Sequence, residues 1–178
     1  SLTNPNQVEY QNLLDNMTSN GVVGVSMSVY TPQAGLWLGA SGYADLSTNV
    51  AMKPCNMTRV GSTVKLFTAT LIMKLQEEGK LNIHDKITDY LSGEYMDQLE
   101  GIENVTILQL LNHSSGLYNY IQNLQFQTAS LNDLIREWHA EDLLNYAYGQ
   151  DPYFTAGEDV RYSNTNYILL GILIEQLE

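Results

Sequence analysis

The segment Gly61-Ser62-Thr63-Val64-Lys65 sets a hydroxyl and a primary amine three residues apart at the head of an apolar run. Residues at that spacing share one face of a helix, so the two groups can meet. Serine becomes a good nucleophile only with a base beside it, and a lysine shielded from water can serve as that base. A helix N-terminus adds unpaired N–H groups and a positive dipole end, which favour developing negative charge. Alone, the pair is a modest signal. A chain with 12 serines and 5 lysines holds about 0.3 such pairs by chance, and a capping serine with a solvated lysine is the plainer account in isolation.

A second polar group, Tyr162-Ser163-Asn164, lies between a turn containing Gly157 and the last apolar stretch. A phenol can shuttle a proton when a nearby cation lowers its pKa, and Lys65 is the candidate cation. An asparagine amide there can hold a substrate carbonyl while fixing the lysine. In isolation these residues also read as an asparagine helix cap and one packed tyrosine among 12.

The elements that must position these residues follow from hydrophobic periodicity. Val8, Leu13, Leu14 and Met17 cover one face of a helix that Gly21 breaks. Val23, Val25, Met27 and Val29 then alternate with small and polar residues as in a strand. Thr31 to Gly35 reads as a turn and Leu36 to Tyr43 as a returning strand, giving a hairpin. From about Ser62 the period becomes helical through Leu66, Ala69, Thr70, Met73 and Leu75, with Gly79 as the C-terminal cap. Thr106 is a candidate N-cap for a helix carrying Ile107, Leu110 and Leu111 that Gly116 stops. Ser130 or Asn132 is a candidate cap for a helix through Leu134, Ile135 and Trp138. A short helix is expected from Leu143 to Gly149, and a strongly apolar one from Asn166 to Leu177.

Composition narrows the function classes. The 178 residues are 44% hydrophobic and carry a net charge of −12, a globular but strongly acidic chain. Such a surface repels phosphate backbones and anionic lipid, so nucleic acid is not an expected partner. The longest apolar stretch, Tyr167 to Ile174, is far short of the ~20 residues a membrane-spanning helix needs. Cys55 is the sole cysteine and is expected to be an ordinary buried or half-buried thiol, while His84, His113 and His139 share no metal-ligand spacing. The three histidines read as surface or hydrogen-bonded structural residues.

The longer context of these residues resembles a known superfamily. It comprises Arg59-Val60-Gly61-Ser62-Thr63-Val64-Lys65-Leu66-Phe67-Thr68-Ala69-Thr70, Leu75-Gln76-Glu77-Glu78-Gly79-Lys80-Leu81 with Asp85-Lys86-Ile87, Ile107-Leu108-Gln109-Leu110-Leu111-Asn112-His113-Ser114-Ser115-Gly116-Leu117, and Tyr162-Ser163-Asn164-Thr165-Asn166-Tyr167-Ile168-Leu169-Leu170-Gly171. In that order and spacing they resemble the serine β-lactamases and penicillin-binding proteins, nearest the branch of class C β-lactamases, D-alanyl-D-alanine carboxypeptidases and related esterases. The resemblance implies an α+β, β-lactamase/transpeptidase-like fold. It makes Ser62 the acylated nucleophile and Lys65 its proton acceptor. Tyr162 becomes general acid and base with Lys65, and Asn164 the ligand of the substrate amide carbonyl. The Ser62 N–H would supply half of an oxyanion hole, and His113-Ser114-Ser115-Gly116 matches a structural landmark. Substrates would be D-alanyl-D-alanine peptides, β-lactams or small esters, with no metal or organic cofactor required and a periplasmic or secreted location.

Two departures qualify the resemblance. Ala156-Gly157 stands where the family usually has proline before glycine. The family's third motif, on a later strand that supplies the second oxyanion N–H, has no counterpart here. The chain is therefore expected to be one incomplete domain: an N-terminal helix and hairpin at 1–58, a mostly helical region at 59–161, and the tyrosine motif with its helix at 162–178. On this expectation the chain alone is not a competent enzyme, and a second polypeptide or a swapped copy completes it. The competing class is a non-catalytic binding module with the same fold.

Overall fold

The computed structural model describes residues 4–178, which divide into two compact units, one ending at Arg59 and one running from Val60 to Glu178.

In the first unit, helix α1 (Gln7–Ser19) lies against an antiparallel sheet of order β1 (Gly24–Thr31), β2 (Gly35–Asp45) and β3 (Val50–Ala51). The hairpin register pairs Val25 with Ser41 and Val29 with Trp37, and the Thr31 side chain accepts the Ala34 N–H inside the turn. Polar ties hold α1 to β2: Gln11 donates to the Ala40 carbonyl at 3.0 Å, and the Ser41 hydroxyl donates to Asp15 at 2.7 Å. The short β3 was not anticipated. It follows a turn organised by the Asp45 carboxylate, which accepts from the N–H and hydroxyl of Ser47. Those bonds hold the Asp45 pKa down to about 2. Cys55 is exposed in this unit, not buried.

The second unit is helical: α2 (Val64–Glu77), α3 (Glu94–Asp97), α4 (Ile107–Leu111), α5 (Leu124–Asn132), α6 (Ala140–Leu144) and α7 (Asn164–Leu177). Helix α7 is central, packing against α2, α4 and α6. Its Leu169, Leu170 and Leu173 are fully buried with Ile72 of α2, Ile107 and Leu110 of α4, and Leu144 of α6. At the end of α2, Gly79 takes φ +70, while its N–H bonds the Gln76 carbonyl and the Lys80 N–H bonds that of Leu75. This is the paired closure that a left-handed glycine allows. Thr106 caps α4 reciprocally: its hydroxyl accepts the Gln109 N–H, and the Gln109 side chain accepts the Thr106 N–H.

Three local expectations need correction. The buried stripe of α2 is Ile72 and Leu75 with half-buried Lys65, Thr68, Ala69 and Gln76, whereas Leu66 and Met73 are exposed. Helix α4 stops at Leu111 because His113 turns to φ +64, well before Gly116. No helix runs through Leu134 and Ile135, which are 72% and 86% exposed. The helix there is α5, which ends at Asn132. Asn123 caps its start by accepting the Gln125 N–H, and Phe126 anchors it edge-on against Tyr120 and Tyr146. Among the described residues no helix is long and apolar enough to cross a membrane.

Candidate active site

The stripe that buries α2 carries Lys65 at its N-terminal end. Packing Ile72 and Leu75 into the core therefore turns the Lys65 amine toward α7. One turn earlier, Ser62 sits in a 3₁₀ turn, Gly61–Thr63, that runs into α2. The i, i+3 spacing brings Lys65 Nζ within 3.4 Å of Ser62 Oγ, to which it donates. Lys65 also donates to Asn164 Oδ1 at 2.8 Å, and the Tyr162 hydroxyl donates to Ser62 Oγ at 2.9 Å. All four residues singled out in the sequence thus meet at one place. Ser62 and Tyr162 are exposed, while Lys65 and Asn164 are half-buried.

Placing Tyr162 and Asn164 is the work of a buried polar network at the start of α7. Thr165 donates its hydroxyl to the Tyr118 carbonyl at 2.6 Å and accepts the Tyr120 N–H. Asn166 accepts from the Ser115 hydroxyl at 2.8 Å and donates to the Leu110 carbonyl. Asn119, itself buried, accepts both the backbone N–H and the side-chain amide of Asn164. Because Ser115, Asn119, Thr165 and Asn166 are buried yet satisfied, this network specifies one geometry for the helix end.

The segment 113–116 struts the loop before α7. The carbonyls of Gly116, Ser114 and His113 accept from Tyr153, Gly157 and Arg161 at 2.8, 2.8 and 2.9 Å. Gly116 has φ +76, and a Cβ there would lie 2.0 Å from the Phe154 carbonyl oxygen, so only glycine fits. The His113 ring packs on Tyr162, centroids 4.4 Å apart, and its Nδ1 accepts the Ser163 N–H at 3.2 Å.

The charges separate two phenols. Lys65 Nζ lies 5.0 Å from the Tyr162 ring centroid and 5.4 Å from that of Tyr167. Burial pushes the Tyr162 pKa up, but hydrogen bonds with Lys65 and Ser62, together with the Lys65 charge, outweigh it and hold the phenol below its ordinary range. Tyr167 goes the other way, raised by burial and by the negative charge Tyr162 can carry. One phenol is poised to exchange protons and its neighbour is kept protonated. Among the described residues, no cluster of three or more His, Cys, Asp or Glu could hold a metal ion.

The family model for beta-lactamase matches residues 11–178. The chain belongs to the beta-lactamase family. Protein Flp of Staphylococcus aureus (strain NCTC 8325 / PS 47) is 28% identical over 177 residues, 99% of this chain and 34% of its own length. Penicillin-binding protein 4* of Bacillus subtilis (strain 168) is 33% identical over 135 residues, 76% of this chain and 28% of its own. The crystal structure of a D-stereospecific amidohydrolase from Streptomyces sp. superposes with a TM-score of 0.83 at 30% identity, over 97% of this chain and 50% of that one. The fold is thus that of the β-lactamases and transpeptidases, as the motifs implied, and the chain spans about a third of the curated relatives it matches.

Sequence reasoning missed three contributors to this beta-lactamase-family site: His113, Asn119 and Tyr167. For His113 a signal existed, because it opens the His113-Ser114-Ser115-Gly116 block, but the block suggested only a structural landmark. Tyr167 likewise lies in the Tyr162 to Gly171 block, which gave it no role of its own, whereas Asn119 belongs to no spacing that periodicity could single out.

Proposed function

We propose that the protein containing this chain is a serine hydrolase that opens amide bonds, including the β-lactam amide, through an acyl-enzyme on Ser62. One observation carries the reading: Ser62 Oγ receives hydrogen bonds from both Lys65 Nζ and the Tyr162 hydroxyl. In the acylation step Ser62 Oγ attacks the carbonyl carbon, and its proton passes to the Lys65–Tyr162 pair. That pair returns the proton to the leaving nitrogen as the C–N bond breaks. In deacylation the Lys65–Tyr162 pair takes a proton from water, the hydroxide adds to the ester carbonyl, and Ser62 Oγ leaves with that proton. The Asn164 amide, anchored by Asn119, orients the substrate carbonyl. The N–H of Ser62 contributes one donor to the developing oxyanion.

Amide substrates with a D-configured residue are favoured, because the relatives include a penicillin-binding protein and a D-stereospecific amidohydrolase. D-alanyl-D-alanine peptides and β-lactams fit that class, and small esters would react by the same steps. Such substrates are met outside the cytoplasm, which supports a periplasmic or secreted protein. The test is an intact-mass spectrum before and after incubation with a penicillin. A gain of one opened penicillin that maps to Ser62 and is absent from Ser62→Ala is the expected result. A full-length protein left unmodified at saturating penicillin, or labelling that survives Ser62→Ala, overturns acylation at this site.

A further inference from the structure

His113 brackets Tyr162 from both sides along the chain. Its carbonyl accepts the Arg161 N–H at 2.9 Å, and its ring Nδ1 accepts the Ser163 N–H at 3.2 Å. The residue between those two anchors is Tyr162, whose ring packs on the same imidazole at a 34° tilt. Both anchors depend on an unusual backbone. His113 adopts φ +64, a left-handed conformation uncommon outside glycine and taken up mainly by asparagine, aspartate and histidine. That turn lets one residue offer its carbonyl and its ring to the same loop.

We infer that His113 is a positioning residue: its neutral imidazole holds the Tyr162 phenol against Ser62, and protonation of the ring releases the phenol. This deepens the serine hydrolase reading above and, for its catalytic meaning, rests on it. The chemistry is specific to the ring nitrogen. An Nδ1 that accepts from Ser163 carries no proton, so the neutral ring is the Nε2–H tautomer. On protonation Nδ1 becomes a donor facing the Ser163 N–H, and the bond becomes a donor–donor repulsion. The new positive charge also faces the amine that Ser62 needs. Among the described residues, the titratable groups facing the ring are Lys65 from α2, Tyr162 from the loop before α7, and Tyr167 from α7. Burial, and then the charge of Lys65, push the His113 pKa below the ordinary histidine value, consistent with a ring kept neutral in use.

The test combines NMR with labelling on the full chain, His113→Asn and His113→Gly, from about pH 8 to about pH 5. Asparagine retains a side-chain acceptor and tolerates positive φ but does not titrate. Glycine relieves the backbone while removing the acceptor and the ring. In the unaltered chain, the His113 ring, the Ser163 amide and the Tyr162 ring resonances are expected to move with one midpoint below the ordinary histidine range. His113→Asn should abolish that shared titration. His113→Gly should displace the Ser163 and Tyr162 resonances at every pH.

Penicillin acylation, read by intact mass, should fall through the same midpoint in the unaltered chain. It should persist at acid pH in His113→Asn, and slow about 10-fold or more at all pH in His113→Gly. Tyr162 resonances unmoved in His113→Gly, or a His113 midpoint that Ser163 and Tyr162 do not share, overturn the positioning role. A shared NMR midpoint supports the clamp whether or not the protein is labelled, and a full-length protein that no penicillin labels refutes the hydrolase reading alone.

Discussion

Lys65 Nζ and Asn164 Oδ1 lie 2.8 Å apart, joining the second residue of α2 to the first residue of α7 across 99 positions of sequence. The bond aims the amine. Without it the lysine has a flexible four-carbon stem, the longer 3.4 Å contact to Ser62 and its hydrogen bond with Tyr162. Asn164→Ala should therefore slow penicillin acylation by about 100-fold, the scale on which a 1 Å misplacement of a reacting group acts. The rate of adduct formation by mass spectrometry checks this. A rate within a factor of about 3 of the unaltered chain would mean that Ser62 and Tyr162 hold the amine without Asn164.

Tyr162→Phe removes a hydroxyl and keeps the ring that packs on His113. The Tyr162 ring is exposed, so folding stability should change little. Turnover should fall about 100-fold or more, the usual worth of a positioned acid–base group. Deacylation should suffer at least as much as acylation, so acyl-enzyme accumulates. Steady-state turnover beside a single-turnover acylation experiment separates the two steps. Equal loss in neither step would reassign the proton transfers to Lys65 alone.

Much of this site was legible before any coordinates. Ser62 and Lys65 are close in sequence, and a helical run with i, i+3 geometry brings them together whatever the rest of the fold does. Tyr162 and Asn164 are distant, and no local rule pairs them with Ser62. Their motif context carried that inference. The hairpin was legible from its alternation and the long helices α2 and α7 from their apolar runs, although α2 buries Ile72 and Leu75 and leaves Leu66 and Met73 exposed. One error traces to α5, where a cap outranks composition. Asn123 accepts the Gln125 N–H and starts the helix early, leaving Leu134 and Ile135 beyond its end as exposed apolar residues that imitate a helical stripe. The two-residue β3 is too short for alternation to reveal, although Asp45-Leu46-Ser47-Thr48-Asn49 ahead of it is a turn signal. His113 escaped because its contribution lies in a left-handed backbone and a ring nitrogen, neither of which has a periodicity.

Gly116→Ala tests the strut beneath Tyr162. The methyl group would meet the Phe154 carbonyl oxygen at 2.0 Å, and φ +76 is strained for alanine. Overpacking against backbone and the left-handed penalty together should cost about 3 kcal/mol, measured as a shift in the urea midpoint. Tyr153 loses its partner carbonyl if the strand of loop moves, so labelling should fall with stability. A midpoint unchanged within error would show that Phe154 yields freely.

Stability should also depend on pH through His113. Its folded-state pKa lies below the unfolded value of 6.5, so the unfolded chain binds the proton more readily. The contribution is therefore complete above about pH 6.5 and is lost as pH falls through the folded-state pKa. Carboxylates that titrate in more acid solution are common to the unaltered chain and His113→Asn, so the difference between them isolates the histidine. Urea midpoints for both, measured from about pH 7.5 to about pH 5, should fall on acidification, the unaltered chain more steeply than His113→Asn. Parallel curves would mean that His113 titrates alike folded and unfolded. Burial and the Lys65 charge would then have no hold on the ring.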